Sequence, residues 1–352
     1  MRYFFWIFLI LLVIVRQITT RPIYTDGDKI RITTRVASEP IRYENSQGLT
    51  LVGLKIYLPK FPEIHYGDNV VVEGVVKEKK LENPTIVSVE EGTGILYKFR
   101  KRIIEFYQKS LTEPHASLVA GVTLGSKQSI PPDFWESLKL TGTVHVVVAS
   151  GMNVTLVAGF LVGFLIIFLP RRRAISLALL GIWIYAVVSG FDAPIVRAAI
   201  MGSIGFVGLA LGRVNDAWRA LFLSVLGMLI AKPEWIGDLG FILSFVATVS
   251  LMLFEGRIEA KLKFIPKLIR QDFSTSLAAQ IGVAPILWAT FGQFNLLSPV
   301  INAAVLWTIA PITIIGIVAG ILSLTVPLIA RLILFVLFPL TSWFIAIVEL
   351  FA

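Results

Sequence analysis

The chain has 352 residues, no cysteine and a formal charge of +9. It is 56% hydrophobic and only 16% charged, with a mean hydropathy of +0.79. Soluble domains carry about 25% charged residues, so the composition excludes a water-soluble enzyme of this length and any disordered or fibrous chain. What fits is a membrane protein with several spans.

The absence of thiols excludes a disulfide scaffold, a thiolate metal site and a Cys nucleophile. His65, His115 and His145 lie far apart, which argues against a histidine-built zinc centre, and no cofactor is expected. The excess of positive charge suits anions: lipid headgroups, nucleic acid, or both.

Residues 3–15 are an apolar run behind Arg2. The run is short for a span, which takes roughly 20 residues. No small-residue cleavage site follows, so 1–20 is expected to be an uncleaved anchor.

Residues 21–95 read as a soluble β domain. Ile30, Ile32, Thr34 and Val36 alternate with polar residues, as do Leu54, Ile56 and Leu58. Val70, Val72 and Val75, then Ile86, Val87 and Val89, supply further strands, and Gly27-Asp28 and Gly67-Asp68 each open a run. Period-two alternation between turn residues predicts a small β-barrel. An OB-like barrel fits the length and strand count, and any other five-stranded module fits the pattern equally.

Residues 96–142 form a connector. Leu96, Phe99, Ile103, Ile104, Phe106 and Tyr107 share a helix face, with Lys98, Arg100, Lys101 and Arg102 around them, which predicts an interfacial amphipathic helix. Residues 116–125 are too short to span and are expected to pack on the membrane face or re-enter it.

Residues 143–352 are nearly all membrane-like, with spans expected at 143–169, 174–190, 194–212, 217–231, 237–254, 275–291, 300–323 and 327–351. The fold class is therefore a polytopic α-helical membrane protein of about nine spans with a small N-terminal β-barrel. Arg171–Arg173, then Arg213 and Arg219, then Arg257, Lys261, Lys263, Lys267 and Arg270 fall on one face. The positive-inside rule makes that face cytoplasmic and places the β domain outside. A second amphipathic helix, lipid-facing, is expected over 258–269.

Polar groups inside spans are costly and mark function. Ser150-Gly151-Met152-Asn153 interrupts a run too long for one straight span, reading as a break or a small-residue packing face, with His145 one turn earlier. Asp192 sits where a helix N-terminus favours an anion, Pro194 suits the first turn, and Arg197 lies one turn inside, either snorkelling or paired locally. Asp238 precedes a span that holds Ser244, and Gln280, Gln293 and Asn302 add uncharged groups. Together they suggest a polar path. No G-x-x-x-x-G-K-[ST] loop, G-x-S-x-G elbow or H-E-x-x-H run occurs, so no enzyme activity is expected.

Four blocks resemble the ComEC competence membrane channel family in that family's order: Leu140 to Val154 around Thr141-Gly142-Thr143, His145 and Ser150-Gly151; Phe191 to Met201 around Ala193-Pro194 and Val196-Arg197-Ala198; Lys232 to Phe245 around Asp238-Leu239-Gly240-Phe241 and Leu243-Ser244-Phe245; and Ala284-Pro285, Phe291-Gly292 and Ser298 to Asn302. The resemblance runs over about 96–323, and 21–95 is similar to the family's OB-like domain.

The resemblance implies a channel passing single-stranded DNA into the cytoplasm during natural transformation, in the cell membrane, with the β domain extracellular. The implied partners are the bilayer, a separate nuclease, a DNA receptor and a cytoplasmic motor or strand-binding protein. Many members carry a metallo-β-lactamase-like domain, whose HxHxDH run is absent here, so this chain is not expected to degrade the second strand. The family's Gln before Leu-Ser-Phe is Ile242, which argues against a lumen role at that position.

The channel candidates are His145, Ser150, Gly151, Asn153, Asp192, Arg197, Asp238, Ser244, Gln280 and Asn302. Arg31, Arg35, Arg42, Tyr43 and Lys55 are the DNA-binding candidates of the β domain, each equally explicable as a solvated strand edge. A small-solute or lipid transporter would also use polar breaks near half-helix ends. An assembly scaffold would use the barrel as a protein-binding module.

Overall fold

The computed structural model describes residues 2–20, 24–43, 46–128, 130–148, 150–212, 216–264, 266–292 and 295–352. Arg213 and Gln293, named above, lie outside them.

The chain opens with α1 (Arg2–Thr19). Six strands follow: β1 (Lys29–Arg35), β2 (Ile41–Arg42), β3 (Ser46–Leu51), β4 (Leu54–Pro59), β5 (Asn69–Lys77) and β6 (Lys80–Glu90). They form one sheet in the order β1-β5-β6-β4-β3-β2, in which the β4–β6 pairing alone is parallel. The alternation read from the sequence holds: Leu54, Ile56, Leu58, Val70 and Val72 are buried in one core while Lys55 and Tyr57 face out. Burying one such side chain stabilises the fold by about 1.5–3 kcal/mol. In place of the expected small β-barrel the described strands form an open six-stranded sheet, with β1 and β2 as its edges among the described residues.

The helices are α2 (Ile95–Ser110), α3 (His115–Leu124), α4 (Pro132–Thr141), α5 (Val144–Val147), α6 (Gly151–Phe168), α7 (Arg171–Val188), α8 (Ala193–Ala210) and α9 (Ala217–Ala231). A 3-10 turn, Pro233–Gly237, leads into α10 (Leu239–Lys261), α11 (Lys267–Phe291), α12 (Ser298–Leu322), α13 (Pro327–Phe335) and α14 (Phe338–Leu350).

Among the described residues four helices are long and apolar enough to cross a membrane, or five if α13 and α14, bent by 45°, count as one span. The nine expected spans therefore correspond to helices of which several fall short by length or charge: α9 has 15 residues, and α7 carries Arg171–Arg173 in its first turn. Phe164, Ile167, Phe168, Leu328 and Leu332 point outward, as a lipid-facing surface does.

Two expectations change. The run 258–269 is no separate interfacial helix: its first part ends α10, Pro266 caps the start of α11, and the break falls between them. Residues 116–124 take an interior position in place of the first of their two expected placements, the one on the membrane face. They are buried all round inside the bundle, as a helix apolar on every side must be. Around them pack Tyr107, Val305, Ile309, Ile312, Leu337 and Phe344.

Candidate functional site

The break expected at Ser150-Gly151 is present. α5 ends at Val147, and α6 begins at Gly151 behind an extended Ser150. α8 begins behind Asp192 and α10 behind Asp238, whose carboxylate accepts the Phe241 N–H at 2.7 Å as an N-cap.

These three helix starts meet at Pro194. A Cβ on Gly151 would lie 3.7 Å from the Pro194 carbonyl oxygen, and one on Gly240 would lie 3.9 Å from Pro194 Cδ. Each start carries roughly half a positive charge from its unpaired N–H groups.

Arg197 stands at the centre of the meeting point. Its guanidinium donates to the Ser244 carbonyl of α10 and lies 5.8 Å from the Phe245 ring centroid. A Cβ on Gly151 would stand 3.0 Å from Arg197 Nη2, so glycine lets the guanidinium lie against α6. Arg197 Nε and Ser244 Oγ are buried without a partner among the described residues. No carboxylate of those residues lies within 4.0 Å of Arg197. The Arg197 guanidinium therefore bonds the Ser244 carbonyl of α10 and no carboxylate at the start of its own helix. Asp192 bonds Lys127 Nζ at 3.2 Å instead.

Other candidates sit elsewhere. Asn153 donates to the Val122 carbonyl at 2.8 Å and ties α6 to α3. Asn302 donates to Ser276 Oγ at 2.9 Å and Ser298 Oγ at 3.3 Å, and Gln280 to the Asn295 carbonyl at 3.0 Å. Asn295 in turn donates to the Leu140 carbonyl at 2.6 Å. His145 is exposed and bonds the Gly142 carbonyl at 3.0 Å through Nδ1. The single polar path expected from sequence is thus two groups, one around Arg197 and one where α11 and α12 meet the α4–α5 turn. Among the described residues no hydrogen bond or ion pair joins them.

A third polar assembly was not legible in the sequence. It joins the sheet to the helices on the side where α8 begins. Arg100 of α2 donates to Glu39 at 2.7 Å and to the carbonyls of Leu124 and Val188, at the C-terminal ends of α3 and α7. Arg100 therefore lies buried at a junction, not among the basic residues around the apolar face of an interfacial helix. The α3–α4 turn reaches three elements with three consecutive side chains. Ser126 bonds Glu39 at 3.2 Å, Lys127 bonds Asp192, and Gln128 bonds the Ile64 carbonyl at 2.7 Å. Burial alone would lower the Lys127 ammonium pKa, but the Asp192 carboxylate outweighs it and holds the pKa up. Tyr66 of the β4–β5 connection donates to the Val187 carbonyl at 3.0 Å, and burial, then Tyr97, push its hydroxyl pKa up.

The competence protein family model matches residues 122–352. The chain belongs to that family. All four sequence blocks, both intrahelical polar groups and Lys127 fall inside the matched region; Glu39 and Arg100 precede it. The chain is 29% identical over 246 residues to ComE operon protein 3 of Bacillus subtilis (strain 168), an alignment covering 68% of this chain and 31% of that protein. It is 24% identical over 218 residues to Competence protein ComA of Neisseria gonorrhoeae, covering 56% and 30%. An uncharacterized protein of Aquifex aeolicus (strain VF5) is 27% identical over 302 residues, covering 82% and 68%. The matched part is less than one third of the length of the first two relatives. No solved structure matches the chain.

The five β-domain candidates do not form one patch. Arg31 pairs with Glu73 at 3.5 Å across the β1–β5 ladder, and Arg35 lies 5.2 Å from the Tyr97 ring centroid. Both are committed to structure. Tyr43 and Lys55 face outward from the β2–β3–β4 end of the sheet, and the Arg42 side chain lies outside the described residues.

Proposed function

We propose that this competence-family chain forms the membrane conduit for a single DNA strand during DNA uptake, the strand entering where α6, α8 and α10 begin. The observation that carries the reading is Arg197. Residues from three separate sequence blocks meet around its guanidinium, and among the described residues no carboxylate neutralises it. An uncompensated cation inside a helix bundle is expensive and marks a path or a site. Three helix N-termini beside it favour an anion. A strand bringing one phosphate per nucleotide meets both requirements.

Orientation supports the same reading. The sheet docks where α7 ends and α8 begins, whereas Arg171–Arg173 start α7 about 27 Å away along its axis. Lys261 likewise lies at the far end of α10 from Asp238. With the basic ends cytoplasmic, the sheet lies outside the cell membrane. α1 runs beside α9, with Trp6 against Phe222 and Gln17 donating to the Pro233 carbonyl at 2.8 Å, so it delivers the chain to the outer side.

In this reading α1, α7, α9 and α11 complete nine spans. Residues 1–20 are the anchor, 21–95 an OB-like domain, 96–142 the connector and 143–352 the channel. The strand order, with its one parallel pair, suits an OB-type sheet opened between β1 and β2. His145, Ser150, Gly151, Asn153, Asp192, Asp238, Ser244, Gln280 and Asn302 are lining or supporting residues. Pulling the strand and degrading its complement fall to partners: a DNA receptor, a separate nuclease, and a cytoplasmic motor or strand-binding protein.

The test is cytoplasmic entry of fluorescent DNA in cells carrying wild type, a deletion, Arg197→Ala or Arg197→Lys, with membrane-inserted protein quantified in each. The expected result is no entry in the deletion, none with Arg197→Ala at normal protein level, and partial recovery with Arg197→Lys. DNA entry in the deletion strain overturns the reading and favours a solute or lipid transporter.

A further inference from the structure

Asp192 stands in the capping position of α8 and caps nothing. Its backbone is extended, with φ −66° and ψ 152°, as that of a capping residue is, yet its carboxylate accepts no N–H of the first turn. The other described helices that begin behind an aspartate use it. Asp216 accepts from the Trp218 and Arg219 N–H groups of α9, and Asp238 accepts from Phe241 of α10. Aspartate is among the strongest capping residues, so its idleness at α8 has a cause. The cause is Lys127, whose Nζ lies 3.2 Å from Asp192 Oδ2 with both side chains largely buried.

Lys127 is in turn placed by the sheet. Its neighbours on either side, Ser126 and Gln128, bond Glu39 and the Ile64 carbonyl. Ile64 belongs to the core of the sheet, and Glu39 lies in the loop between β1 and β2. A shift of the sheet against the helices therefore pulls on Lys127 from both sides.

A released Asp192 carboxylate has one N–H to take. Pro194 has none, so the capping bond falls to Ile195, the place that Phe241 holds at the start of α10. In the structure the Ile195 N–H goes to the Asp192 carbonyl oxygen at 3.0 Å. The backbone at Asp192 already has the capping conformation, so turning the side chain is enough to make the exchange.

We propose that Lys127 is a positioning residue for the entry at α8: while the sheet is docked it holds the Asp192 carboxylate off the helix start, and when the sheet shifts it lets Asp192 cap α8 and close that start to anions. A carboxylate in the cap takes the Ile195 N–H and puts a negative charge where the helix N-terminus favours an anion. Paired with Lys127, the same charge is neutralised and the start stays open. That the excluded anion is a DNA strand rests on the conduit reading above; the held aspartate rests on the geometry.

The test reads amide hydrogen exchange at Ile195 in the full chain in detergent, and DNA entry in cells with membrane-inserted protein quantified. Lys127→Gln is expected to slow exchange at Ile195 by about fivefold, the effect of one ordinary capping bond, and to lose DNA entry. Lys127→Arg keeps a cation on Asp192 and recovers entry. In the Lys127→Gln background, Asp192→Ala restores entry, whereas Asp192→Asn does not, because asparagine still caps.

An ion pair that merely props the helix gives the opposite signs. Exchange at Ile195 then speeds up or stays constant in Lys127→Gln, and Asp192→Ala and Asp192→Asn behave alike, since each removes the stranded charge. Either result overturns the proposal. Gln128→Ala leaves both charges in place and frees the turn from Ile64, so it serves where Lys127→Gln fails to insert. It is expected to slow exchange at Ile195 in the same direction, and unchanged exchange overturns the link to the sheet. The exchange measurement needs no DNA, so it decides the proposal even if the deletion strain still admits DNA and the conduit reading falls.

Discussion

Arg100 Nη2 and Glu39 Oε2 are 2.7 Å apart with side chains only 5% and 4% exposed, and they join α2 to the loop after β1. The same guanidinium also takes the carbonyls that end α3 and α7. Removing one partner of a buried ion pair strands the other charge, at a cost of about 3–5 kcal/mol. Arg100→Met is therefore expected to release the sheet from the helices, seen as faster amide hydrogen exchange at Glu39, Ile64 and Tyr66 with little change in α10 to α12. Unchanged exchange at those three residues would show that the junction holds without the pair. Glu39→Gln, which keeps the shape and a weaker hydrogen bond, is expected to cost less.

Gly151 is the second test point. A methyl group there meets Arg197 Nη2 at 3.0 Å and Ala198 Cβ at 3.3 Å. Overpacking of this kind costs roughly 1–3 kcal/mol. Gly151→Ala is expected to lower uptake while the protein still inserts, and Gly151→Val to abolish it. Gly159, whose added Cβ would meet nothing within 4 Å, is the control position, and Gly159→Ala should behave as wild type in the DNA-entry assay.

Asp68 predicts a pH dependence. Burial alone would raise its carboxyl pKa, but the His65 imidazole 3.6 Å away and hydrogen bonds from the His65 and Gly92 N–H groups outweigh that and hold it below the usual range. A carboxyl lowered in the folded state contributes stability above its unfolded pKa, about 3.9, and loses it as the pH falls through the folded value. Thermal unfolding of the detergent-solubilised chain should show Asp68→Asn less stable than wild type at pH 6, with the gap closing toward pH 3. A gap that stays constant over that range would assign the effect to shape, not ionisation.

Tyr107 connects α2 to α12 by donating its hydroxyl to the Gly316 carbonyl at 2.8 Å from a fully buried position. Tyr107→Phe keeps the ring and removes the donor, while the Gly316 carbonyl keeps its place in the helical ladder, so the cost is that of one hydrogen bond, about 0.5–1.5 kcal/mol. Thermal unfolding in detergent should register that loss, and a variant as stable as the wild type would show that the bond contributes nothing.

The sequence by itself determined the membrane class, strands β1, β4, β5 and β6 and the start of most helices, whereas β2, β3 and α4 carried no such mark. Those features are set by local period, turn residues and apolar run length, all of which act within a few residues. The ordered blocks around Gly151, Arg197 and Ser244 were also legible, and so was the family. The tertiary structure alone decided which of those polar residues meet. Arg197 reaches Ser244, 47 positions away, and leaves Asp192 to Lys127, 65 positions away. It also placed Arg100, expected beside the apolar face of an interfacial helix, in a junction with Glu39, 61 positions distant, and left the described strands as an open sheet where a small β-barrel was expected. Pairings of this kind depend on how helices and strands stack, and a charge in the sequence carries no mark of the opposite charge that will neutralise it once the chain is folded.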